Sequence, residues 1–106
     1  MKPSEMIKAC KAKIATQEQW TTSAFARTKD GFPVMPSSKE AVCFCSLGAI
    51  EKVYLFNSLP YRIVKSRLEV ALDGAIPAFN DTHTHEEVMA VWDKAIATAE
   101  ETEAAE

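Results

Sequence analysis

Apolar and polar positions change rhythm several times along this chain. Met6, Ile7, Cys10 and Ile14 recur at three- and four-residue intervals, while Lys8, Lys11 and Lys13 fall mostly on the other side. That is the stripe of an amphipathic helix running to about Gln17, with Ser4 as its N-cap and Glu5 in its first turn. Helical periodicity then stops. Trp20 to Pro36 carries Thr21-Thr22-Ser23, Phe25-Ala26-Arg27 and Asp30-Gly31-Phe32-Pro33-Val34. Asp30-Gly31 is a strong turn dipeptide, because glycine takes positive φ without a Cβ clash. Residues 24–35 therefore read as a short β-hairpin with Pro33 confined to an edge, or as an ordered loop.

The next element is apolar almost all round. Ser37 or Ser38 caps it, and Val42, Cys43, Phe44, Leu47, Ala49, Ile50, Val53, Tyr54 and Leu55 follow, interrupted by Glu51 and Lys52. Read as a helix over about 38–56, it belongs at the centre of a bundle. Gly48 within it costs about 1 kcal/mol relative to alanine, which predicts close approach of another backbone there. Asn57-Ser58-Leu59-Pro60 forms a turn, with Ser58 capping a third helix from Tyr61 to Leu72. Val64, Leu68, Ala71 and Leu72 are its stripe, and Gly74 is the expected left-handed residue after it. Residues 75–83 read as a connector in which Ile76 and Phe79 pack down. Thr84 and Glu87 make a capping box for the last helix, whose stripe is Val88, Val91, Trp92, Ala95, Ile96 and Ala99.

The fold expected is mainly α: a single domain over residues 1–98, with four helices around the apolar one. Residues 99–106 are expected to be an acidic mobile tail, since their glutamates sit at the negative end of the helix dipole. Trp92, Phe44, Phe56, Leu68 and Ile50 should be core, and Trp20 a lid whose indole N–H finds a carbonyl. Asp93 either bonds the Trp20–Arg27 loop, with Arg27 as its partner, or faces solvent.

Composition narrows the class. The chain has 106 residues, 47% hydrophobic and 25% charged, which suits one globular domain and excludes a disordered one. No apolar run approaches the roughly 18 residues of a membrane span, and Met1-Lys2-Pro3-Ser4-Glu5 opens no secretory signal. Three cysteines, an odd count without such a signal, point to reduced thiols in a cytoplasm. Residues 1–72 hold 11 Lys+Arg against 6 Asp+Glu, whereas residues 73–106 hold 1 lysine against 9 Asp+Glu. The net charge of −3 argues against non-specific nucleic-acid binding, so the plain reading is a basic body beside an acidic last helix.

Four groups of residues invite chemistry. Cys43, Cys45, His83 and His85 are a zinc-compatible set, but within a helix the first pair would point about 200° apart, and neither pair has the spacing of structural zinc sites. Cys43 or Cys45 with His83 or His85 as base, and Asp81 or Asn80 as orienter, has the residue types of a thiol nucleophile. A thiol inside an apolar helix lacks the exposure that chemistry needs, so packing is the preferred reading. Asn80-Asp81-Thr82-His83-Thr84-His85-Glu86 gathers polar groups before a helix N-terminus, where they either satisfy a capped turn or build a recognition corner. The two histidines would add pH sensitivity there. Arg62, Lys65 and Arg67 with Lys52 form a basic side, but no Gln/Arg/Asn-rich recognition face accompanies them. Glycines 31, 48 and 74 are isolated, so there is no phosphate loop.

Several segments together match a known pattern: Trp20-Thr21, Ala24-Phe25-Ala26-Arg27, Cys43-Phe44-Cys45-Ser46-Leu47-Gly48-Ala49, Phe79-Asn80-Asp81, Thr84-x-x-Glu87-Val88 and Asp93-x-Ala95-Ile96. The chain resembles, over about residues 6–98, an uncharacterised family of small bacterial and phage proteins of unknown function. Where that family often has Gln-Gly after Trp-Thr, this chain has Thr22-Ser23. The resemblance implies a small, mainly helical fold and a bacterial or phage source, and it carries over no catalytic residue.

The function expected is non-catalytic and cytoplasmic: binding another protein through Trp20, Arg27, Asn80, Asp81, His83 and His85, with no cofactor, no metal and no membrane. The alternatives are a small-ligand binder or enzyme using the Asn80–His85 corner, a nucleic-acid-associated regulator, and a homo-oligomer joined through Leu55 and Phe56.

Overall fold

A computed structural model describes all 106 residues. It contains five helices, α1 (Pro3–Lys11), α2 (Ser46–Val53), α3 (Leu59–Leu72), α4 (Ile76–Thr82) and α5 (His85–Ala105). Three two-residue strands, β1 (Ala26–Arg27), β2 (Pro33–Val34) and β3 (Cys43–Phe44), form an antiparallel sheet in the order β2-β1-β3. The fold is thus mainly α, as expected, with a hairpin in the expected place and a third strand added to it. None of the helices is long and apolar enough to cross a membrane.

The apolar stretch over about 38–56 is not one helix, and this is the main correction. Only Ser46–Val53 is helical; Cys43-Phe44 pairs with Ala26-Arg27 as a strand, and Cys45 is the N-cap between them. A run that is apolar on every side has no period to distinguish strand from helix. Here the strand takes only Cys43-Phe44, with β-branched Val42 just before it, and Ser38 serves a turn, accepting from the Glu40 N–H at 3.1 Å. The shortened α2 is still central, with Leu47, Ala49 and Ile50 in the core beside Ile7, Cys10, Ile14, Val64, Leu68, Val88 and Trp92.

Other boundaries shift for local reasons. α1 stops at Lys11 and tightens into a 3-10 turn, Ala12–Ile14, that keeps Ile14 buried. Lys2, not Ser4, is its N-cap. The expected connector at 75–83 folds as α4, started by Ile76-Pro77 at its first two positions, with Ile76 buried. After α3 the left-handed residue is Asp73, at φ 55°, so Gly74 is not needed in that role. Phe56 leaves the core: it lies past the end of α2 and is 64% exposed. The caps of α3 and α5 stand as read, Ser58 accepting from the Tyr61 N–H and Thr84 sharing reciprocal bonds with Glu87.

The acidic end of the chain is laid down as helix through Ala105, along α1. Ala99 is fully buried, Glu100 pairs with Lys8 at 3.0 Å, and Glu103 accepts from the Ser4 N–H at 2.9 Å and the Ser4 hydroxyl at 2.6 Å. Those two donors hold the Glu103 carboxyl below its ordinary range. A carboxylate favoured in this way in the folded state contributes at neutral pH, and the contribution fades as pH falls through its folded pKa. Ser4→Ala should therefore lower the amide protection factors of residues 100–105 several-fold and leave those of residues 46–53 unchanged, and acidification of the unaltered protein should do the same once the slower intrinsic exchange at low pH is divided out. Equal exchange in the variant would show that the segment is held by other contacts.

Candidate functional site

Four of the segments that carry the family resemblance, Trp20-Thr21, Ala24–Arg27, Cys43–Ala49 and Phe79–Asp81, converge on one junction, at the N-terminus of α2. Cys45 caps this helix: its Sγ accepts from the Gly48 N–H at 3.3 Å, and its own N–H donates to the Phe25 carbonyl at 3.1 Å. Gly48 then faces the Phe25 backbone so closely that a Cβ built on it would fall 2.8 Å from the Phe25 carbonyl carbon and nearer still to the oxygen. The close approach expected at Gly48 is thus made by the backbone of the loop residue just before β1.

Asn80 on α4 ties the junction together and is itself buried. Its Oδ1 accepts from the Trp20 indole N–H at 2.9 Å, the Ser46 N–H at 3.0 Å and the Ser46 hydroxyl at 2.9 Å. Its Nδ2 donates to the Thr21 carbonyl at 3.1 Å and to Asp81 Oδ1 at 3.2 Å. The Ser46 hydroxyl in turn accepts from the Trp92 indole at 3.2 Å. No buried side-chain nitrogen or oxygen lacks a partner. The carbonyl expected for Trp20 is therefore a side-chain amide, and one short helix fastens the 20–27 loop to α2 and α5.

The remaining expected site residues are placed unequally. Arg27 spends its guanidinium inside its own loop, donating to Thr21 Oγ1 at 3.0 Å, the Gly31 carbonyl at 3.0 Å and the Thr22 carbonyl at 3.1 Å. It does not meet Asp93, which pairs with Lys11 and is mostly exposed. Asp81 accepts from the Ser23 N–H at 3.0 Å. His85 lies beside Trp20, ring centroids 5.6 Å apart, and its Nε2–H donates to the Ile14 carbonyl at 2.7 Å. His83 turns away, stacked on Phe79 at 3.8 Å with its Nδ1 2.9 Å from the Phe79 carbonyl. Trp20, Arg27, Asn80, Asp81 and His85 thus do come together around one loop, chiefly in contacts that hold that loop to the body.

The thiols do not have the setting that a continuous helix would give them. Cys45 borders a cleft of about 220 Å³ with Ser23, Ala24, Phe25, Pro77 and Asp81. It stands at a helix N-terminus, where the Gly48 and Leu47 N–H groups favour the thiolate, yet burial outweighs them and Asp81 adds to it, so its pKa is raised. Burial pushes Cys10 up to about 12. Cys43 sits on β3 with its thiol 3.9 Å from the Arg27 carbonyl. Neither histidine lines the cleft, and nowhere do three His, Cys, Asp or Glu side chains gather as metal ligands would. Chemically, the cleft offers a protonated thiol and a carboxylate already engaged by the Ser23 N–H.

A second hollow shares Phe25 as a wall. Phe25, Met35, Pro36, Glu51 and Phe56 line a groove of about 380 Å³. Phe25 is 51%, Met35 67% and Phe56 64% exposed, and Leu55 beside them in sequence is 81% exposed. The groove draws on the hairpin, α2 and the α2–α3 turn, so no single stretch of sequence contains it. The one legible signal was apolar surplus at Leu55-Phe56.

Compared with known proteins, residues 1–98 match the model of a family of unknown function, DUF6197. The chain belongs to that family, in keeping with the expected resemblance to an uncharacterised family of unknown function. No curated protein and no solved structure matches it.

Proposed function

Since the family brings no activity with it, we propose from geometry that this chain is a non-catalytic protein-binding module, a cytoplasmic accessory factor of a bacterium or phage. Its binding surface is the groove of Phe25, Met35, Pro36, Glu51 and Phe56, with the Trp20–Arg27 loop and its Asn80 anchor acting as the frame that holds Phe25 in place. The supporting observation is the grouping of three large apolar side chains, each at least half exposed, on one concave surface of a small domain. Such groupings on a globular domain mark interaction sites, whereas single exposed apolar residues do not. Phe25 also walls the Cys45–Asp81 cleft, so a partner seated on the groove has a neighbouring hollow for one further side chain.

The test is a Met35→Ser/Phe56→Ser variant. Both residues are exposed, so the stability of the variant should lie within about 1 kcal/mol of the parent's. Quantitative affinity capture from the native host should show one or a few proteins retained by the parent and lost by the variant. An identical retained set for both would overturn the reading. Light scattering on the same pair separates self-association: a parent dimer that the variant breaks would assign the groove to a second copy.

A further inference from the structure

The groove is apolar except for one group. Glu51 is the only ionisable side chain on its wall, and it has no partner within the chain. The ion pairs are Lys8–Glu100, Lys11–Asp93 and Lys65–Glu69. The adjacent Lys52 is turned to the Ser38 carbonyl, at 3.5 Å, and lies 5.9 Å from the Phe44 ring centroid. Glu51 is half-buried, and that burial raises its carboxyl above the ordinary range. A half-buried carboxylate among apolar side chains is a cost in the isolated domain, because water is partly removed and nothing replaces it. A cation brought by a partner would remove that cost. Phe25 and Phe56 line the same groove, and aromatic faces attract a cation electrostatically. Met35 is unbranched and adaptable, which suits an apolar side chain of no fixed shape.

Resting on the groove being the binding surface, we propose that it receives a protein segment presenting an arginine beside a large aliphatic or aromatic residue: the guanidinium meets Glu51 between Phe25 and Phe56, and the apolar side chain lies against Met35 and Pro36. Arginine fits better than lysine, since its planar, weakly hydrated group stacks on aromatic rings and pairs with a carboxylate through two N–H donors. A second copy of this chain fits worse. A two-fold pairing centred on the groove would bring two Glu51 carboxylates into one apolar interface.

The test uses the intact chain as bait for a library of random dodecapeptides. Enriched peptides should carry arginine next to an apolar residue, should fail on the Phe56→Ser variant, and should bind Glu51→Gln about tenfold or more weakly. Selection on Glu51→Lys should enrich acidic residues where the parent enriched arginine. Peptides that need Phe56 but bind Glu51→Gln as well as the parent would overturn the charge pairing and leave the groove standing. No enrichment, or enriched peptides indifferent to Phe56, would overturn the groove itself. Amide NMR spectra of each variant confirm the fold, and Glu51→Gln, an isostere, should keep it.

Discussion

Alanine at Gly48 is expected to destabilise the protein by about 3 kcal/mol or more, enough to lower its melting temperature by roughly 12 °C. The sign of this effect is informative. Within a helix, alanine exceeds glycine by about 1 kcal/mol, so local propensity alone predicts a stabilised variant. The opposite follows from packing, since the added Cβ would occupy space held by the Phe25 carbonyl. That carbonyl accepts from the Cys45 N–H, so displacing it also disturbs the cap of α2 and the start of β1. Urea unfolding with tryptophan fluorescence as the readout decides the matter. A variant as stable as the parent would mean that the hairpin does not sit on α2 as described.

The second large effect is expected at Asn80. Asn80→Ala leaves the Trp20 indole and the Ser46 N–H without their acceptor, in a place only 1% exposed. Each orphaned buried donor costs about 1–3 kcal/mol, and a small cavity adds to it, so a loss of roughly 3–5 kcal/mol is expected. Asn80→Asp should not rescue it. The aspartate keeps an acceptor for Trp20 and Ser46, but puts an oxygen where Nδ2 now donates to the Thr21 carbonyl and Asp81. Thermal unfolding of the two variants side by side is the measurement. Full rescue by aspartate would show that the Nδ2 contacts contribute little and that acceptance from Trp20 and Ser46 is what matters.

These two residues also show how legible the chain was. Gly48 could be read from sequence alone, because a glycine inside an apolar run has few reasons to be there other than a tight crossing. The caps Ser58 and Thr84, the hairpin and the central position of Leu47 to Ile50 were legible for similar reasons: each rests on a few neighbouring residues. Asn80 was legible as important but not as what it is. Its partners Trp20, Thr21 and Ser46 lie 34 or more residues away, so the same letters read equally well as a recognition corner. The break at Cys45 was hidden because nothing in Ala41–Phe56 alternates strongly enough to favour a strand over a helix. The groove was least visible. It exists only once the hairpin is laid against α2 and the turn before α3 is in place, and Phe56, one of its walls, looks in sequence like core.

The sheet's two edges bear on how this domain can meet another chain. On one side β3 is already covered, Thr21 donating to the Phe44 carbonyl at 2.9 Å beside a bridge between Trp20 and Phe44. On the other, Pro33 stands opposite Arg27, one position from the bonded Thr28–Phe32 pair, so the donor that proline lacks is one that would have faced outward. Templating by a foreign strand therefore meets a covered carbonyl on one flank and a missing donor on the other, so main-chain augmentation of this sheet is disfavoured. A chain that meets this sheet would then be held by the shape and charge of side chains, a mode that discriminates among sequences in a way that main-chain zippering does not.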